Sequence, residues 1–116
     1  MTSPERFLPL PPVSFHILVA LAAGDRHGYA IMQDVAANTG GQVRLGAGTL
    51  YRSIQRMVEQ GLVVESRQRP PAGEDDERRR YYRLTPLGVS VARLETERLT
   101  AAVRVARAVG LAPGKA

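Results

Sequence analysis

Gly61 marks a change of hydrophobic period, and that change constrains the chain more than any other feature. Before it, apolar residues recur at the helical spacing; after it they fall into short β-branched and aromatic runs, so a small sheet must follow a set of helices. Leu50, Ile54, Met57 and Val58 stand at i, i+4, i+7 and i+8. They form one apolar stripe of a helix over 47–60, which Gly61 closes from its C′ position. Residues 62–66 and 81–85 then read as the two strands of a hairpin. Their connection, 68–80, holds Pro70, Pro71, Gly73 and seven consecutive charges, which makes it a solvated loop longer than a tight turn requires.

The residues before this helix complete the pattern. Phe15, Leu18, Val19, Leu21 and Ala22 crowd a first helix between Pro12 and Gly24, with Ser14 as candidate N-cap. Tyr29, Ile31, Met32 and Val35 sit at near-helical spacing in a second helix over 27–38, which Gly40 and Gly41 end. Residues 42–45 are too few for anything but an edge strand or a linker. Three helices followed by a hairpin is the order of a winged helix-turn-helix, mainly α with a small β-hairpin. Residues 1–85 are read as that domain, with 1–10, rich in proline and lacking a long apolar run, as a flexible arm rather than a secretory leader.

After the hairpin, Thr85 and Pro86 supply an N-cap and a proline at N1 for a last helix reaching Val109, with 111–116 as a tail. At 24 residues it would be about 36 Å long, against a radius of gyration near 13 Å for a domain of this size. Such a helix outruns its own domain. Between Leu99 and Val109 only Thr100, Arg104 and Arg107 are polar, an apolar face wider than one small domain can cover. A second copy of the chain is the simplest cover, so 86–110 is read as a dimerisation helix using Leu94, Leu99, Ala102, Val103, Ala106 and Val109. No sustained heptad appears, which favours an antiparallel bundle of two protomers over a long parallel coiled coil.

Composition narrows the function. The chain has no cysteine, which removes disulfides, thiolate nucleophiles and iron–sulfur ligation, and its two histidines, His16 and His27, lack ligand-like neighbours; no metal or cofactor is expected. No apolar run approaches the roughly 20 residues that span a bilayer, so a cytoplasmic protein without membrane contact is expected. The net charge is +5, and of the sixteen basic residues all but Lys115 are arginines. That balance favours polyanions, since arginine forks match phosphate geometry and released counterions drive binding, although genomic base composition can also enrich arginine.

On the third helix, the buried stripe leaves Thr49, Arg52, Gln55, Arg56 and Glu59 pointing away from the core, with Tyr51 at its margin. Arginine can fork to guanine, glutamine to adenine, and threonine or tyrosine can reach phosphate or a thymine methyl. Tyr51 can pack or reach a phosphate, its hydroxyl needing a polar partner; Tyr29 is open to the same two roles. Phe15 and Tyr82 are read as core, and His27 as a capping residue. Arg67 and Arg69 flank one side of the wing and Arg78, Arg79, Arg80 and Arg83 the other. Because Glu74, Asp75, Asp76 and Glu77 near the tip would repel phosphate, the base of the wing is the part expected to touch DNA.

With these residues in view, the sequence resembles the PadR family of transcriptional regulators over about residues 10–100. The resemblance rests on His27-Gly28-Tyr29, on Gly48-Thr49-Leu50-Tyr51-Arg52, on Glu59-Gln60-Gly61-Leu62-Val63, and on Tyr81-Tyr82-Arg83-Leu84-Thr85 with Gly88. It implies a winged-helix homodimer that represses by binding double-stranded DNA at inverted-repeat operators, in some members released by a small aromatic effector, and here of the branch with a single C-terminal helix. Gly46 and Ala47 replace the serine and proline that often precede the recognition helix, weakening the cap by a few tenths of a kcal/mol. The chain has no tryptophan and no aromatic residue after Tyr82, so stacking of a planar effector on the last helix is unsupported, while an apolar cavity between protomers would still admit a small apolar molecule. The alternative reading is a protein-interaction module on a winged-helix scaffold. An enzyme finds no support: there is no phosphate-binding glycine loop and no paired nucleophile and base, and the one carboxylate cluster sits in a loop that holds no geometry.

Overall fold

The computed structural model describes residues 3–66 and 80–111. In chain order the elements are α1 (Pro12–Ala22), β1 (Arg26–His27), α2 (Gly28–Asn38), α3 (Ala47–Glu59), β2 (Val63–Ser66), β3 (Tyr81–Leu84) and α4 (Pro86–Ala108), preceded by a 3-10 turn at Pro4–Phe7. The fold is mainly helical with a small antiparallel sheet, as expected. Ile17, Leu18 and Leu21 of α1, Ile31 and Val35 of α2, Leu50, Ile54 and Met57 of α3, Leu62, Val63 and Val91 form one core. Tyr82 is part of it and Phe15 is half-buried against it, as read from the sequence.

The helix ends follow the local chemistry. His27 caps α2, its Nδ1 accepting from the Ala30 N–H at 3.2 Å. Thr85 caps α4, its Oγ1 accepting from the Gly88 N–H at 3.0 Å, with Pro86 in the first turn. At the end of α3, Gly61 takes a φ of 79°, which favours glycine, and lets the Leu62 N–H reach the Met57 carbonyl at 2.9 Å and its own N–H reach Val58 at 3.0 Å.

Three expectations need correction. Residues 3–10 are not a free arm: Leu10 is buried, and its N–H donates to Glu95 Oε2 at 3.1 Å, so the segment packs on α4. Ser14 is not the cap of α1, because Pro11 takes that position and Pro12 starts the helix, leaving Ser14 buried inside it. Residues 42–45 form no strand; the third strand is instead β1, which pairs antiparallel with β3 through Arg26 opposite Tyr82 and His27 opposite Tyr81, giving the order β1-β3-β2. Two residues are too few for any periodic signal, which is why the spacing did not reveal β1. Val58, part of the apolar repeat of α3, is 37% exposed because it lies at the edge of the stripe that Leu50, Ile54 and Met57 bury.

α4 divides along its length. Gly88, Val91 and Glu95 are buried, so the first half belongs to the same core as α1 and α3. Glu95, 2% exposed, accepts from Arg98 at 2.6 Å as well as from Leu10. The second half rises out of this core: Val103, Val105 and Val109 are exposed.

Candidate nucleic-acid interface

α3 is presented as its sequence demands. Leu50, Ile54 and Met57 are buried, while Thr49, Tyr51, Arg52, Gln55, Arg56 and Glu59 are exposed. Gly46 precedes the helix without a side-chain cap, as expected from the missing serine. Two arginines, a glutamine and a threonine therefore share one solvent-facing surface, a combination able to donate to phosphate oxygens and to base edges.

The start of α2 joins this surface. Gly28 is buried beneath the Tyr51 ring: a Cβ there would lie 2.8 Å from Tyr51 Cζ and closer still to its hydroxyl oxygen. Tyr51 is 48% exposed and Tyr29, the next residue of α2, is 56% exposed, so one phenol rests across the helix start and the other stands beside it in solvent. His27, which caps this helix, also stacks edge-on against Tyr81 of β3 with ring centroids 5.3 Å apart. The helix-turn-helix pair is thereby pinned to the sheet.

Of the wing residues, Arg69, Arg78 and Arg79, together with Arg67 and the acidic run 74–77, lie outside the described residues. Arg80 is exposed at the start of β3, with its Nε 3.7 Å from Glu65 Oε1. Arg83 turns to the other side of the strand, its Nε buried and without a hydrogen-bond partner, where it lines a cavity of about 680 Å³ between α1, β3 and α4. Glu65 escaped the sequence reading. Its signal, an acid opposite an arginine-bearing strand, becomes visible only once the hairpin register is known, and a connection of this length does not set the register.

Among the described residues no group of three histidine, cysteine, aspartate or glutamate side chains could hold a metal ion, and no helix is long and apolar enough to cross a membrane. Of the groups expected at the DNA face, α3 brings together Thr49, Tyr51, Arg52, Gln55 and Arg56, α2 adds Tyr29, and β3 adds Arg80 at the wing stem. Of the residues expected to dimerise, Ala102, Val103 and Val109 are exposed, and Leu94, Leu99 and Ala106 are half-buried.

Three helices, a three-stranded sheet and an outward-facing third helix define a winged helix-turn-helix protein. The sequence profile of the PadR-like family of transcriptional regulators matches residues 17–94. The chain belongs to that family, a family of regulators and not of enzymes. A transcriptional regulator from Clostridium thermocellum is 28% identical and superposes with a TM-score of 0.66, over 82% of this chain and 89% of its own. Bacillus subtilis PadR, solved in complex with operator DNA, shares the fold at 20% identity and a TM-score of 0.59, over 73% of this chain and 46% of its own. An uncharacterized protein from Lysinibacillus sphaericus is 35% identical over 72 residues, which are 62% of this chain and 63% of that relative's length.

Proposed function

We propose that this chain is a sequence-specific transcriptional repressor that binds duplex DNA as a homodimer, placing two copies of α3 in successive major grooves of an inverted repeat. The observation that carries this reading is the split of α3 into a buried stripe of Leu50, Ile54 and Met57 and an exposed face bearing Thr49, Arg52, Gln55 and Arg56. Arg52 and Gln55 are assigned to base edges; Tyr51, Tyr29 and Arg56 to backbone phosphates. Arg69, Arg78, Arg79 and Arg80 are assigned to phosphates beside the groove. Bacillus subtilis PadR, which shares this fold, was solved in complex with operator DNA, which supports DNA as the partner.

The dimer is argued from α4. Val103, Val105 and Val109 are 42%, 66% and 67% exposed, and Val103 also lines a groove with Phe15, Leu99 and Thr100. A second copy packed through Leu94, Leu99, Ala102, Val103, Ala106 and Val109 would cover it, in the isologous manner of a two-fold pair. A small apolar effector would be received by cavities beside this helix, the larger of which is lined by Val19, Leu84, Val89 and Ala92 with Arg83 at its edge.

The test is a fluorescence-anisotropy titration with an inverted-repeat duplex, selected for binding from random sequences, and a scrambled control. Arg52→Ala is expected to weaken operator binding by about 1–3 kcal/mol and to reduce the preference over the scrambled duplex. Affinity should fall steeply between about 50 and 200 mM salt. A monomer in sedimentation equilibrium that binds neither duplex would instead support the protein-interaction module.

A further inference from the structure

The wing stem carries an acid where a phosphate-binding surface gains nothing from one. Glu65 stands directly opposite Tyr82 across the β2–β3 ladder. Arg80, two residues before Tyr82, shares that face of the sheet. Its Nε lies 3.7 Å from Glu65 Oε1, and the two side chains are 72% and 51% exposed. Tyr82 itself is buried. Its phenol is pushed up from the ordinary value first by burial, then by the neighbouring Tyr51 and Glu65, with Arg80 opposing. Glu65 of β2, Tyr82 of β3 and Arg80 just before β3 thus adjoin at the wing stem, and the half-exposed Glu65 carboxylate opens to solvent.

Stability does not explain this placement, because an ion pair so exposed contributes little to folding. A carboxylate beside the groove does two things to a nearby phosphate: it repels it, and it offsets the guanidinium that would otherwise attract it. Both act on the backbone, which is the same in every duplex.

We propose that Glu65 limits the affinity of the DNA-binding face, offsetting one cation at the wing stem so that binding is held down on all duplexes while α3 retains the choice of sequence. The inference rests on the DNA-binding reading of α3. Removing the charge should add up to one released counterion to the binding reaction and leave the base contacts untouched.

Glu65→Gln, Arg80→Ala and the double variant would be titrated against the selected operator and the scrambled duplex, from about 50 to 200 mM salt. Glu5→Gln, on the N-terminal segment that packs on α4, serves as control for net charge. For Glu65→Gln the expected result is about threefold to tenfold tighter binding to both duplexes, with the salt slope steeper by up to about 0.9 and the operator preference unchanged. Arg80→Ala should cost less in the wild-type background, where Glu65 already offsets the guanidinium, than alongside Glu65→Gln, where that cation is free to meet phosphate. Unchanged or weaker binding by Glu65→Gln overturns the proposal, as does an equal gain from Glu5→Gln. Failure of the underlying reading looks different: the wild-type chain then binds neither duplex in a salt-dependent way, and the proposal falls with it.

Discussion

Gly88→Ala should destabilise the protein even though alanine is the better helix former. In an open helical position the exchange would gain up to about 1 kcal/mol. At Gly88, however, a Cβ would lie 3.0 Å from the Leu62 carbonyl carbon, 3.4 Å from its Cα, and closer still to its oxygen. That oxygen is backbone and already accepts the Thr85 N–H at 3.1 Å, so it cannot swing aside. α4 would have to lift from the end of α3, straining the Thr85 cap and its hydroxyl contact to the Gly61 carbonyl at 2.6 Å. Forced overpacking of this kind costs about 3 kcal/mol, the upper part of its usual range. For a domain of this size that is a fall in melting temperature of roughly 10 °C. Thermal denaturation followed by circular dichroism at fixed protein concentration reads it directly. Gly48→Ala is the matched control, because a Cβ there meets only the far end of Arg52 at 3.4 Å. The expected signs are opposite. A Gly88→Ala protein that melts at or above the wild-type temperature refutes the close-contact argument.

Two other substitutions probe the packing around α4 and the helix-turn-helix. The Glu95 carboxyl is held below its ordinary 4.5 chiefly by the Arg98 hydrogen bonds, with burial opposing and the Leu10 N–H assisting. A depressed folded value gives stability that is present above the unfolded value and lost as pH falls through the folded one; urea midpoints should therefore drop on acidification below about pH 4.5, and less so in Glu95→Gln, which loses about 1–3 kcal/mol at neutral pH. Gly28→Ala should push the Tyr51 ring off the start of α2 and crowd the buried Leu50, whose Cδ2 would lie 3.2 Å from the added Cβ, so stability should fall by about 1–3 kcal/mol. Binding to every duplex should meanwhile weaken by about threefold to tenfold, roughly one phosphate contact, and unchanged affinity would remove Tyr51 from the DNA face.

The helices were legible because their stripes are long and their ends are punctuated. Three turns of α3 repeat the apolar signal, and Gly61, Thr85 and Pro86 mark limits that the backbone obeys. The exposed face of α3 followed from the buried one by geometry alone. What stayed hidden depends on contacts between segments distant in the chain. β1 exists because His27 and Arg26 meet Tyr81 and Tyr82, a pairing that no local pattern announces. The N-terminal segment looked loose because its prolines suggest no regular structure. It is ordered by a carboxylate 85 residues away, and Glu95 itself read as one more charge on an amphipathic helix. The Glu65–Arg80 pair likewise depends on a register set beyond the local sequence. In each case the missing information was a partner, not a propensity.

One junction ties these parts into a single mechanical unit. The end of α3, the start of β2 and the start of α4 meet within the few residues around Gly61, Leu62, Thr85 and Gly88. Leu62 donates its N–H to the last turn of α3 and accepts from Thr85, while the Thr85 hydroxyl bridges the Gly61 carbonyl and the Gly88 N–H. These hydrogen bonds join the end of the helix assigned to DNA directly to the start of the helix assigned to the partner protomer, and the contact at Gly88 leaves no slack for sliding. In the proposed dimer, the separation of the two copies of α3 is therefore set by how the α4 helices pack, and is transmitted through backbone hydrogen bonds rather than through flexible side chains. A molecule that wedged α4 away from α1 would have to tilt α3 or break this junction. Either change alters the fit to half-sites about 34 Å apart, which gives the cavity beside α4 a physical route to the DNA face.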